Sequence, residues 1–173
     1  MKNKKQIPVR LTNQELNLLA KAKCQCEETK RASLFSALTG IRFNEIEALK
    51  WKDIALKKGG YSYIILMRPK TGDTFHIPLT MQTIILLGKP KKPMEKVFTL
   101  HSQPRTNHYI KRWAERAGIN KNISFNTFRY SFVVMMLTHD VSFHTIATML
   151  GHKSVKPALK YIKRVEKVNL GIL

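Results

Sequence analysis

Five side chains spread over a 173-residue chain carry most of the chemistry that this sequence could perform. Arg42 sits in Thr39-Gly-Ile-Arg42, just beyond a glycine that can end a helix, with Glu45 three residues on as a partner for its guanidinium. Arg129 closes Asn126-Thr-Phe-Arg129 at the start of an apolar helix. Its neighbours Phe125, Phe128, Phe132 and Val133 predict burial, and a buried guanidinium needs an anion. Lys70 lies in a Lys-Thr-Gly turn, where a lysine is either plain exposed charge or an ammonium delivered to a phosphate or leaving oxygen. His152 follows a helix-stopping glycine in Leu150-Gly-His152, a place that favours a cation at a helix C-terminus. Tyr161 borders an apolar stripe of Val155, Ala158, Ile162 and Val165, its hydroxyl reaching water. Taken singly, each has an ordinary structural explanation.

Composition narrows the partners. Lys and Arg number 31 against 11 Asp and Glu, a net charge of +20, and such a surface favours a polyanion, nucleic acid first of all. Residues 91–120 hold seven basic and two acidic side chains, and 151–173 hold six and one, whereas the apolar stretch 121–150 is nearly neutral. The core is therefore expected centrally, with charge around it. The acidic residues are scattered, without the carboxylate cluster that holds Mg²⁺ in metal nucleases, and Glu45 and Glu47 diverge on a helix. No uncharged apolar run is long enough to cross a membrane, and the basic segment Met1–Arg10 lacks the apolar region of a secretory signal. Cys24 and Cys26, placed on one helix, point apart and make neither a disulfide framework nor a zinc pair, so a reduced, cytoplasmic setting is expected.

The elements that must position these residues read as mainly helical, with one β-hairpin near the middle. Thr12-Asn-Gln-Glu15 is a capping box opening a helix that ends near Cys26–Lys30. A second helix runs through Leu34 and Leu38 to Gly40, and a short third spans Phe43–Trp51 with Ile46 and Leu49 facing in. Lys57–Gly60 marks a turn. The β-rich runs Tyr61–Met67 and Thr74–Leu79 flank a tip at Arg68–Asp73. Pro90–Pro93 is a basic loop. Further helices are expected over Arg105–Ala117, Thr127–Leu137, Ser142–Leu150 with Gly151 as its stop, and about Val155–Val168.

In the order Arg42, Lys70, Arg129, His152, Tyr161, the five residues resemble the tyrosine recombinase (phage-type integrase) family, and specifically integrases of bacterial phages and conjugative elements. Thr39-Gly-Ile-Arg-Phe-Asn-Glu-Ile-Glu-Ala-Leu-Lys-Trp-Lys-Asp-Ile54 is similar to the family's first arginine motif. Lys70-Thr-Gly72 with Ile77-Pro-Leu79 resembles its lysine hairpin, and Phe128-Arg-Tyr-Ser-Phe132 its second arginine motif. Leu150-Gly-His-Lys-Ser154 through Tyr161 has the family's spacing to the nucleophile. The resemblance spans about Leu11 to Lys163. It implies an α+β integrase catalytic-core fold that cuts and rejoins double-stranded DNA with no cofactor and no metal. In that scheme Tyr161 attacks the scissile phosphate, Arg42 and Arg129 hold its nonbridging oxygens, Lys70 protonates the 5′-oxygen and His152 donates to the phosphate.

Two departures matter. Asn126 stands where the family usually has histidine. An amide can orient a phosphate but cannot act as a base, so a catalytically impaired DNA-binding relative is the alternative. The family also carries an N-terminal helical domain that completes a clamp on DNA. Here residues 1–10 read as an inter-domain linker remnant, 11–167 as the catalytic domain and 168–173 as a C-terminal tail. The resemblance implies a homotetramer on DNA for a full-length protein, the tail docking on a neighbour, and a monomeric fragment in a bacterial, nucleoid-associated setting.

Overall fold

The structure is a computed structural model that describes residues 9–57, 61–67, 72 and 74–152. Among these are seven α-helices and a small sheet: α1 (Asn13–Lys21), α2 (Glu27–Thr39), α3 (Phe43–Ala48), α4 (Met81–Leu87), α5 (Gln103–Arg116), α6 (Phe125–Thr138) and α7 (Phe143–Met149). Strands β1 (Ile54–Ala55), β2 (Tyr63–Met67) and β3 (Thr74–Pro78) form an antiparallel sheet in the order β1-β2-β3. The mainly helical α+β architecture expected from the sequence is the one observed.

Helix α2 is the axis of the molecule, packing against α1, α3, α4, α5 and α6. Its buried residues include the small side chains Ala32, Ser33, Ser36 and Ala37, which let neighbouring backbones come close. Helix α6 is buried almost continuously from Phe125 to Val134, as an element apolar around most of its circumference must be. Phe35, Phe98, Trp113, Phe125 and Phe128 fill the main core, and each such burial contributes roughly 1.5–3 kcal/mol. Trp113 also donates its indole N–H to the Leu19 carbonyl at 3.1 Å, fixing α5 to α1. A second cluster, Phe132, Val133, Ile146 and Leu150, joins α6 to α7.

The capping box at Thr12 is present: Thr12 accepts from the Glu15 amide at 3.2 Å, and Glu15 accepts from the Thr12 amide at 2.7 Å. The helix it opens is shorter than the sequence suggests. It stops at Lys21, and the polar run after Cys26 is instead the first turn of α2, where Glu27 and Glu28 suit the positive end of a helix. Cys24 and Cys26 thus lie in the connecting loop rather than on a helix; both thiols are free, and burial pushes the Cys24 thiol above its ordinary value.

The third helix ends at Ala48 rather than at Trp51. Lys50 pairs across to Lys96, and the Trp51 amide donates to the Glu95 carbonyl at 3.1 Å, contacts that draw this segment into a single 3₁₀ turn. Two short elements have no sequence forecast. β1 is only two residues long, too short to show alternation, and α4 is a seven-residue helix capped by Thr80. Helices α5 and α6 each begin two residues earlier than expected, α5 carrying Pro104 in its first turn. The hairpin strands hold, with Ile64 opposite Ile77 and Leu66 opposite Phe75. The expected turn residues 58–60, most of the hairpin tip, the last helix and the tail lie outside the described residues. Among the described residues, no helix is long and apolar enough to cross a membrane.

Candidate active site

Three chain segments meet where α2, α6 and α7 converge. The first is the exit of α2. Gly40 takes the left-handed conformation (φ +72°) that turns the chain, and Arg42 then becomes the N-cap of α3. Glu45 holds Arg42 twice: one carboxylate oxygen accepts from the Arg42 amide at 2.8 Å and the other from its guanidinium at 2.9 Å. The predicted partnership is present, and it fixes both the backbone and the side chain of an otherwise exposed arginine.

The second segment is the N-terminal half of α6. Arg129 is 5% exposed, as its aromatic neighbours predict. Its guanidinium donates to the Gly40 carbonyl and, at 3.4 Å, to the Leu150 carbonyl. Two backbone dipoles from different segments thus face this buried cation, each presenting its negative end. These acceptors are invisible in a sequence reading that looks for a charged side-chain partner. Asn126, one turn earlier on α6, is exposed.

The third segment closes α7. The Gly151 amide donates to the Thr148 carbonyl at 2.9 Å and the His152 amide to the Ala147 carbonyl at 2.8 Å. With Gly151 at φ +71°, this is the double hydrogen-bond closure of a Schellman motif, and it fixes the backbone of His152. The predicted glycine stop is therefore observed, and it serves the residue that follows it.

The side chains of the three segments converge. His152 Nε2 lies 3.0 Å from Arg42 Nη2 and 3.5 Å from Arg129 Nη2. A guanidinium can only donate, so Nε2 is the acceptor and the ring proton belongs on Nδ1. Residues 110 positions apart in the chain thereby share one small cationic patch. Arg129, from within, and Arg42, from the surface, can together face the nonbridging oxygens of one anion, and forked N–H donors suit phosphate in particular. Lys70 and Tyr161 fall outside the described residues.

Compared with known families, the chain matches the phage integrase family over residues 9–167. The chain belongs to the phage integrase family. Among curated relatives it is similar to tyrosine recombinase XerD of Ralstonia nicotianae, at 27% identity over 137 residues covering 71% of this chain and 44% of the relative. It is likewise similar to tyrosine recombinase XerA of Saccharolobus solfataricus, at 28% identity, covering 79% of this chain and 46% of the relative. The chain thus spans less than half the length of these relatives. In fold it matches the catalytic domain of bacteriophage HP1 integrase with a TM-score of 0.68 at 17% identity, covering 93% of this chain and 94% of that one. The phage integrase resemblance carried by the sequence motifs is therefore correct, as is the fold it implied.

Proposed function

We propose that this phage integrase family chain is the catalytic domain of a site-specific tyrosine recombinase, cutting and rejoining double-stranded DNA through a 3′-phosphotyrosine. The convergence of Arg42 and Arg129 beside His152 is the observation that carries this reading, because it makes a site for the two nonbridging oxygens of one phosphodiester. The domain boundary 11–167 is supported by the near end-to-end fold match to a phage integrase catalytic domain. Residues 1–10 and 168–173 are a linker and a tail, the tail docking on a neighbouring protomer in a tetramer on DNA, whereas this chain alone is monomeric. Deleting 168–173 tests the tail: it lowers strand exchange, and unchanged exchange rejects the docking role. The protein acts in the bacterial nucleoid.

In the proposed reaction the Tyr161 phenol oxygen forms a bond to phosphorus as the bond to the 5′-oxygen breaks. The phenol proton passes to water or to a phosphate oxygen, since Asn126 cannot take it, and Lys70 supplies a proton to the departing 5′-oxygen. A free phenol has a pKa of about 10, so nearby cations must favour its ionised form. Arg42 and Arg129 stay charged throughout and stabilise the negative charge that builds on the phosphoryl oxygens. Asn126 orients the phosphate. The phosphate takes over the guanidinium donors that Nε2 of His152 now accepts, and His152 donates to it either from Nε2 once that atom is protonated or from Nδ1–H once the ring turns. Reversal by a different 5′-hydroxyl gives strand exchange, and the phosphotyrosine conserves the bond energy without a nucleotide cofactor.

The test is covalent trapping. The chain is incubated with nicked suicide duplexes of randomised core sequence, alongside a Tyr161→Phe control, and denaturant-resistant adducts are recovered and sequenced. An adduct that depends on Tyr161 supports the reading. No adduct from wild type, but one from Asn126→His, replaces it with a DNA-binding relative that has lost its base.

A further inference from the structure

Two guanidiniums share one acceptor in the free chain, and that acceptor has to change when an anion arrives. His152 Nε2 is 3.0 Å from Arg42 Nη2 and 3.5 Å from Arg129 Nη2. Both partners can only donate, so Nε2 presents a lone pair and the imidazole is neutral. Two fixed positive charges this close also oppose a third. A phosphate oxygen placed among them reverses both conditions. It takes over the guanidinium donors, and its negative charge favours a cation at the ring.

The structure leaves the ring one short route to meet that oxygen. Its Nδ1 is buried. Its backbone is pinned, the His152 amide donating to the Ala147 carbonyl at 2.8 Å. Gly151 before it lies against the ring of Phe75, where an added Cβ would sit 2.6 Å from Phe75 Cζ, so the loop has no room to slide toward β3. Half a turn of the imidazole in place exchanges Nε2 with Cε1 and presents a carbon to the anion. Nε2 donates at that point only by gaining a proton. The charged and titratable groups on the surrounding elements are few. Arg42, at the start of α3, is held by Glu45, and Arg129 comes from α6 beside the neutral Asn126. Helix α7 carries His144, about two turns back from His152. Strand β3, which packs on α7, turns His76 to the face opposite Phe75, where it meets Tyr63.

From this geometry we infer that His152 is neutral in the free chain and becomes an imidazolium when phosphate binds, taking one proton from solvent onto Nε2 and adding a third cation to Arg42 and Arg129. The inference rests on the recombinase reading above for the identity of the anion. The transition state then meets a charged donor at Nε2 rather than a neutral ring, and hydrogen bonds from charged donors are the stronger kind. Because the complex holds one more proton than its separated parts, affinity rises as pH falls and weakens as pH rises.

The experiment measures affinity against pH at fixed ionic strength with two probes. One is the duplex recovered by covalent trapping, bound to the Tyr161→Phe chain so that it stays uncut. The other is sulfate, a tetrahedral dianion whose own charge is constant over the range and which needs no recombination. Fluorescence anisotropy reads the duplex and calorimetry reads sulfate. From about pH 6 to about pH 8 both affinities are expected to fall by about 5–50-fold, and His152→Gln, which keeps a donor but cannot titrate, to hold the change within about 2-fold. In chain labelled with ¹⁵N-histidine, the His152 ring should pass from the neutral Nδ1–H form to the doubly protonated form as either probe saturates at about pH 7. A flat affinity, a pH response undiminished by His152→Gln, or a ring whose protonation is the same with and without the probes overturns the inference and leaves the recombinase reading standing. Absence of any Tyr161-dependent adduct rejects the recombinase reading instead, and sulfate then decides the proton uptake alone.

Discussion

At the residue scale, the site depends on what a guanidinium fork does that a point charge cannot. Arg129 donates from Nη1 to the Gly40 carbonyl and from Nη2 to the Leu150 carbonyl, and the same Nη2 faces His152. Lysine at this position keeps the charge but loses the fixed fork. Arg129→Lys is expected to destabilise the fold by about 1–3 kcal/mol in urea denaturation, since hydrogen bonds to a charged group are lost from a buried setting. It should also slow cleavage by at least about 100-fold, the usual scale for removing a transition-state donor. Unchanged stability would mean that those carbonyls do not hold the side chain. Arg42 is the complementary case. It is exposed, and its order comes from Glu45, which grips backbone and side chain together. Glu45 was legible from sequence because it lies three residues away; the carbonyl partners of Arg129 were not, because 89 and 21 positions separate them from it.

At the element scale, helix ends do most of the positioning. Gly40 and Gly118 share φ +72°, yet their surroundings differ. A Cβ at Gly40 would lie 2.6 Å from the Phe132 ring and 2.9 Å from Leu150, whereas one at Gly118 meets nothing within 4 Å. Gly118→Ala should therefore cost only the left-handed strain, about 1–2 kcal/mol. Gly40→Ala adds overpacking of about 1–3 kcal/mol and displaces the carbonyl that Arg129 uses. Equal losses for the two variants in denaturant melts would refute the packing account. The N-terminus of α1 supplies a pH-dependent contact. Burial pushes the Glu15 carboxyl up, but its hydrogen bonds with Lys121 and Thr12 and the nearby ammonium outweigh that and hold it below its ordinary value. A depressed carboxylate stabilises the fold above its unfolded-state pKa, and that contribution is lost as pH falls through the folded value. Lys121→Ala should thus lower stability at pH 7 and have little effect once Glu15 is protonated at strongly acidic pH. Parallel thermal melts across this range check it.

At the scale of the whole molecule, the +20 charge would make the proposed binding to DNA a counterion-release problem. Affinity for a duplex should fall linearly in log–log form with salt, by about 10-fold or more between 50 and 200 mM, for any site with more than two phosphates neutralised. A flat salt response in fluorescence anisotropy would contradict a backbone-dominated interface. The main core, built from α2, α5 and α6, is separate from the cluster joining α6 to α7, so His152 is carried by a smaller apolar unit than the arginines are. That division makes the Gly40–Phe132–Leu150 contact the seam between them.

The amino-acid sequence by itself determined the family, the order of the five motif residues, the mainly helical class with its hairpin, the burial of Arg129 and the glycine stops at Gly40 and Gly151. Each of these follows from residue type or from spacing within a few positions, the range over which caps, turns and periodicity act. The extent of α1, the 3₁₀ turn at Trp51 and the helix α4 escaped it, because contacts from distant segments or very short lengths set them. Only the tertiary structure decided that Arg42, Arg129 and His152 share one point, that carbonyls of two other segments hold the buried guanidinium, and that Phe75 rests on Gly151. Those contacts join residues brought together by core packing, and no local pattern encodes which helix end will meet which.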